Sequence, residues 1–149
     1  MKKILMIAFL LLIAVSVSAQ FRNTKWGMTQ EEVMQTEGDV YIQDNNQILY
    51  LDEILGYFVE VVFLFRENKL VFGRYKFDPE GANSFKVRLE EKYGKAKTKN
   101  FIDYYWYLPE INTMILLENK LFEMHLLYTD CEYTLKLQAE QNKQSEGKF

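Results

Sequence analysis

The chain has 149 residues, 48% hydrophobic and 15% aromatic, and a formal net charge of −3. A chain of about 150 residues can bury roughly two-thirds of the surface its unfolded form exposes, so one well-filled core is expected. The acidic balance, with no basic block, argues against nucleic acid as a partner, and the single cysteine, Cys131, excludes an intrachain disulfide.

The N-terminus carries Lys2 and Lys3, then an apolar run from Ile4 to Val15, then Val17-Ser18-Ala19 with small residues at the −3 and −1 positions. This pattern predicts a signal peptide over residues 1–19, cleaved after Ala19. The run is shorter than the roughly 20 apolar residues of a spanning helix, so no transmembrane segment is expected after cleavage. No cysteine stands near the site, which closes the lipoprotein route. A periplasmic or secreted protein is the expectation, and loss of Lys2 and Lys3 takes its formal charge from −3 to −5. With two prolines and no Ser/Gly-rich linker, residues 20–140 are expected to form a single domain.

Thr29-Gln30-Glu31-Glu32 reads as a capping box, with Met28 and Val33 placed as a hydrophobic staple. It predicts a helix over 30–37, closed by Gly38, with Trp26 packed beside it. Past the polar turn Asp44-Asn45-Asn46, strands are predicted over 47–51, 57–66 and 70–77. In the second, Tyr57, Val59, Val61, Phe63 and Phe65 share a face by the period of two.

The order then restarts. Asp78 is a candidate N-cap, Pro79 suits the first helical position and Gly94 follows the last turn. Between them Ala82, Phe85, Leu89 and Tyr93 recur every three or four residues, the mark of one buried stripe. Strands follow over 101–108, 111–117 and 121–128, with Pro109 at the first bend. A third helix is predicted over about 130–140, carrying Leu135 and Ala139, ahead of a disordered tail at 141–149.

Glu67-Asn68-Lys69-Leu70 recurs fifty-one positions later as Glu118-Asn119-Lys120-Leu121, flanked each time by apolar strands. Both are predicted hairpin turns, and the shared frame predicts duplicated units over about 24–78 and 79–129. The fold class expected is α+β. It is a two-layer sandwich of two helix-plus-three-strand units, forming an antiparallel sheet with the helices on one face. The opening Trp26-Gly27-Met28-Thr29, with Glu32-Val33 and then Glu37-Gly38, resembles the β-lactamase inhibitor proteins and the small outer-membrane assembly lipoproteins related to them in fold. The chain lacks the lipidation cysteine of the latter and the disulfides of the former. The resemblance implies the fold rather than an activity.

The residues offer little catalytic chemistry. His125 is the sole histidine, so no metal site with two histidines can be built. It sits between Met124 and Leu126, where a sheet-surface histidine is expected. Cys131 lies six positions further on, without an evident orienting group for a nucleophile and base. Asp52-Glu53 and Glu90-Glu91 are sequence neighbours that diverge on a strand or helix. No glycine-rich phosphate loop occurs, and alternating Lys95, Lys97 and Lys99 read as a solvated strand edge. The expectation is a protein without catalysis, cofactor or metal.

Tyr104-Tyr105-Trp106-Tyr107 stands out. Alternation sends Tyr105 and Tyr107 with Asp103, and Tyr104 and Trp106 with Ile102 and Leu108. Since Asp103 prefers water, the first set should face away from the helices, joined by Arg74, Lys76, Glu123 and His125. Tyrosine and arginine are enriched at contact centres, so Tyr105, Tyr107, Arg74 and His125 are the candidate binding residues. The expected function is a protein-binding or envelope-assembly module whose partner is another envelope or secreted protein. The alternative is a small-ligand or glycan binder that stacks on Tyr105, Tyr107 and Trp106. The oligomeric state is left open.

Overall fold

Thr29 closes its capping box in both directions. Its Oγ1 accepts from the Glu32 amide at 3.2 Å, and Glu32 Oε2 accepts from the Thr29 amide at 2.9 Å. These bonds start helix α1, Gln30–Glu37, which Gly38 ends at φ 90°, where a side chain would be strained. The computed structural model describes residues 20–100 and 102–146, so the leader expected over 1–19 and the tail end at 147–149 lie outside the described residues.

The described chain is α+β, with one open antiparallel sheet of eight strands and three helices. The strands are β1 (Ile42–Gln43), β2 (Gln47–Ile54), β3 (Tyr57–Arg66), β4 (Lys69–Phe77), β5 (Lys97–Lys99), β6 (Asp103–Leu108), β7 (Thr113–Lys120) and β8 (Glu123–Asp130). They lie in the order β1-β2-β3-β4-β8-β7-β6-β5. Each meander is therefore built from its own half of the chain, and β4 meets β8 in the middle. The edges β1 and β5 are only two and three residues long, and short edges with Lys97 and Lys99 exposed discourage pairing with another chain.

One face holds the core. Ile48, Phe63, Gly73, Tyr128, Ile115 and Trp106 stand opposite one another in a row across six strands. Val33 of α1, with Phe85 and Leu89 of helix α2 (Ala82–Tyr93), belongs to the same buried cluster. Asp78 Oδ1 accepts from the Glu80 amide at 2.9 Å and caps a 3₁₀ turn, Pro79–Gly81, that leads into α2. Phe21 fills the gap over Gly73, where an added Cβ would lie 2.2 Å from the phenyl ring. Its ring centroid stands 4.9 Å from that of Phe63, 5.0 Å from Tyr75 and 5.1 Å from Tyr128.

Three expectations are corrected. The β7–β8 turn falls at Leu121-Phe122 rather than Glu118-Asn119-Lys120, with Leu121 at φ 51° and both residues 88% exposed. Burial sets that register. Pairing Leu117 with Leu126 and Ile115 with Tyr128 makes Lys120 and Glu123 the closing pair, whereas the earlier turn would leave Tyr128 beyond the end of β7. In the first half the turn is at Glu67-Asn68, as the sequence predicts.

Helix α3 (Cys131–Glu146) departs in place and in length. It lies outside the buried cluster, with Leu135 63% exposed. Its bulkier stripe, Tyr133 and Leu137 at i and i+4, instead borders Leu64, Phe72 and Thr129 on the opposite sheet face. The helices therefore do not all share one side. Residues 141–146, expected in a disordered tail, continue the helix, since Gln, Lys and Glu favour it and the first breaker is Gly147.

Candidate functional site

Residues that alternate with the core define a second sheet face, which α1 and α2 leave uncovered. A row across it runs Leu49, Val62, Arg74, Leu127, Leu116, Tyr105. A parallel row runs Leu64, Phe72, Thr129, Met114, Tyr107. Both are mainly apolar, Tyr107 at the end of the second is 56% exposed, and Phe58, beyond Glu60 on β3, is 70% exposed. Between β2 and β7 a third row is charged: Glu60, Lys76, His125 and Glu118.

The strand phase read from Asp103 places Tyr105 and Tyr107 on this open face and Trp106, 3% exposed, in the core. Trp106 Nε1 donates to the Gly94 carbonyl at 2.8 Å, so Trp106 offers no stacking surface and the glycan-binding alternative loses one of its three aromatics. Arg74 and His125 also stand on the open face, but the four candidates form two groups. Arg74 and His125 are diagonal neighbours on β4 and β8, whereas the tyrosines lie on β6. Arg74 and Tyr105 share a row three strand spacings apart, about 14 Å. Leu127 and Leu116 fill the gap.

Those intervening residues are functional candidates that the sequence reading did not single out. A signal was present: Met114-Ile115-Leu116-Leu117 and Val61-Val62-Phe63-Leu64 are apolar at both parities. That pattern marks a strand with apolar surface on both faces, and only one of these faces is covered by α1 and α2.

The charges in the centre are mutually held. Glu60 accepts from Arg74 Nη2 at 3.2 Å and from Lys76 Nζ at 3.1 Å. Arg74 Nε is buried without a hydrogen-bond partner among the described residues, an arrangement that costs about 1–3 kcal/mol. His125 Nε2 lies 2.8 Å from Glu123 Oε1. That hydrogen bond, with the charges of Lys76, His125 and Arg74, holds the Glu123 carboxyl below the usual range against a smaller desolvation effect. A depressed carboxyl stabilises the fold above its unfolded pKa, about 4.3, and the contribution fades as pH falls through the folded value. The change His125→Asn should move the Glu123 midpoint upward, read by carbon-detected NMR titration. An unmoved midpoint would assign the depression to Lys76 and Arg74 alone.

Cys131 is half-buried at the start of α3. Burial first, and Asp130 second, push its thiol up, which opposes nucleophilic use. Among the described residues no three His, Cys, Asp or Glu side chains are grouped to hold a metal ion, and no helix is long and apolar enough to cross a membrane. Hollows of about 630, 360 and 250 Å³ lie away from Tyr105 and Tyr107. Comparison with protein-family models, with curated proteins and with solved structures finds no match to this chain.

Proposed function

We propose that the protein is a non-catalytic binding module that docks another exported or envelope protein on its open sheet face. The observation that carries this reading is the apolar row from Leu49 to Tyr105, with Met114 and Tyr107 of the next row beyond the part that α3 borders, standing outside the core beside a charged row. Contiguous apolar surface rimmed by polar groups marks interaction sites.

The same proposal includes export, with cleavage after Ala19. In its support stand Lys2, Lys3 and the apolar run that leads to Val17-Ser18-Ala19. Gln20, the expected first residue of the mature chain, donates through Nε2 to the Ile111 carbonyl at 2.7 Å and accepts at Oε1 from the Trp26 amide at 2.6 Å. The mass of the native protein is expected to correspond to a chain starting at Gln20. A retained Met1 would contradict it.

The finer architecture belongs here too. In both halves a helix precedes a three-strand meander, and the halves meet at β4 and β8. That order supports a duplicated unit, with Met124, Leu126 and Tyr128 standing opposite Phe77, Tyr75 and Gly73, as a two-layer sandwich of sheet with α1 and α2. The resemblance in fold to the β-lactamase inhibitor proteins rests on the Trp26 to Val33 opening.

The test is the double change Tyr105→Ala with Tyr107→Ala. Loss of the exposed Tyr107 side chain should alter stability by about 0.5 kcal/mol or less, and loss of the half-buried Tyr105 by about 1 kcal/mol. Loss of anchors from a contact centre, by contrast, costs about 2 kcal/mol or more of binding. The melting transition should fall by only a few degrees while partners captured from an envelope extract are depleted. Lost stability with an unchanged partner list would contradict the proposal.

A further inference from the structure

Where α3 leaves the sheet it walls two hollows. One, of about 220 Å³, is lined by Leu64, Val71, Phe72 and Leu137, with Thr129, Tyr133 and Thr134, and Arg66 is the sole charged residue among its lining. The other, of about 630 Å³, carries both signs of charge, with Arg66, Lys69 and Lys136 against Glu67, Asp130, Glu132 and Glu140. Arg66, Val71, Tyr133 and Leu137 line both, so the two adjoin.

Arg66 takes part in no ion pair among the described residues. It stands at the end of β3 opposite Lys69, so its cross-strand neighbour is a second cation, and the carboxylates near it line the wider hollow. An apolar cavity of about 150 Å³ takes up benzene, so the smaller hollow has room for a benzyl or branched alkyl group. A guanidinium fork pairs with a carboxylate or a phosphate through two parallel hydrogen bonds, and of the two a carboxylate is the group that a peptide end carries directly beside a large apolar side chain. The occupant that satisfies both features carries a carboxylate next to a large apolar side chain. The mixed charges of the wider hollow suit the polar backbone that leads up to it.

We propose that α3 and the end of β3 and β4 form a binding site for a peptide C-terminus ending in a large apolar residue. The side chain enters between Leu137 and Phe72, the terminal carboxylate pairs with Arg66, and the preceding residues lie in the wider hollow. The site uses neither Tyr105 nor Tyr107, and it takes only the Leu64, Phe72 and Thr129 end of the second open-face row, where α3 borders it.

The probe is the pentapeptide Gly-Ser-Gly-Ser-Phe with a free C-terminus, titrated into the ¹⁵N-labelled protein and compared with its C-terminal amide. Amide shifts are expected to concentrate at Val71, Phe72, Thr129 and Leu137. An exposed ion pair contributes about 0.2–1 kcal/mol, so the amide should bind up to about fivefold more weakly, and Arg66→Gln should weaken the free acid equally without affecting the amide. Leu137→Asp should weaken both peptides about tenfold or more, and the Tyr105→Ala, Tyr107→Ala variant should bind as the parent does. Free N-acetylphenylalanine separates a C-terminal peptide from a small aromatic acid, since equal affinity for both would overturn the peptide assignment. Equal binding of acid and amide, or shifts away from α3, would overturn the site. If Leu137→Asp melts α3, seen by circular dichroism, the Arg66→Gln and amide comparisons decide the question.

Discussion

Phe21→Ala is expected to cost the fold about 3–5 kcal/mol, the range for removing a large aromatic from a core. Phe21 is 1% exposed, and its ring lies in the slot that Gly73 leaves in the middle of the sheet. Urea unfolding of the variant would read the loss directly. The pairing with Gly73 makes a sharper claim. Gly73→Ala alone overpacks the site, because its Cβ would lie 2.2 Å from the ring, and overpacking costs about 1–3 kcal/mol. In the double variant the methyl group enters space that the ring has left, so the two losses should fall short of their sum by about 1 kcal/mol or more. Additive losses would mean that Phe21 does not occupy the slot.

Arg22→Met is the second large effect. Arg22 Nε bonds Glu37 Oε2 at 2.7 Å and Nη2 bonds Asp52 Oδ2 at 2.9 Å. The partners differ in burial: the Glu37 side chain is 3% exposed and that of Asp52 is 40%. Stripping the arginine leaves Glu37 as an uncompensated buried charge, which costs about 3–5 kcal/mol, while Asp52 can turn to water. Asp52→Asn should therefore cost about 1 kcal/mol or less. Adding Glu37→Gln to Arg22→Met should restore most of the loss, because the amide removes the stranded charge. If Asp52→Asn cost as much as Arg22→Met, the ranking by burial would be wrong. Arg22 also holds a left-handed φ of 52°, a conformation that costs a non-glycine residue roughly 1–2 kcal/mol, and the two ion pairs keep it there.

The local elements were legible where one residue set decides one feature. Thr29 with Glu32 placed α1, Phe85 with Leu89 placed α2, and the parity of Asp103 sorted the four aromatics of β6 onto the correct faces. Features set by competition between distant parts were harder to read. The Glu118-Asn119-Lys120 triplet has turn chemistry, yet burial of Ile115 and Leu117 against Leu126 and Tyr128 moved the turn to Leu121-Phe122. In α3 two stripes were available, and Tyr133 with Leu137 won over Leu135 with Ala139 because of what β4 and β8 present. Phe21 was not legible at all, since an isolated aromatic outside any periodic element gives no sign of its slot until Gly73 is placed opposite Phe63. At the candidate site the tyrosines were visible by alternation. The leucines between them and Arg74 were hidden by their core-like pattern.

The central claim is that partners bind the open face rather than the helix side. A photo-crosslinking residue placed at Tyr107, on the open face, or at Val87, 45% exposed on α2, tests it most directly. After irradiation in the cell envelope, the account predicts a discrete protein adduct from position 107 and none from position 87. Adducts from position 87 alone would place binding on the helix side and contradict the account.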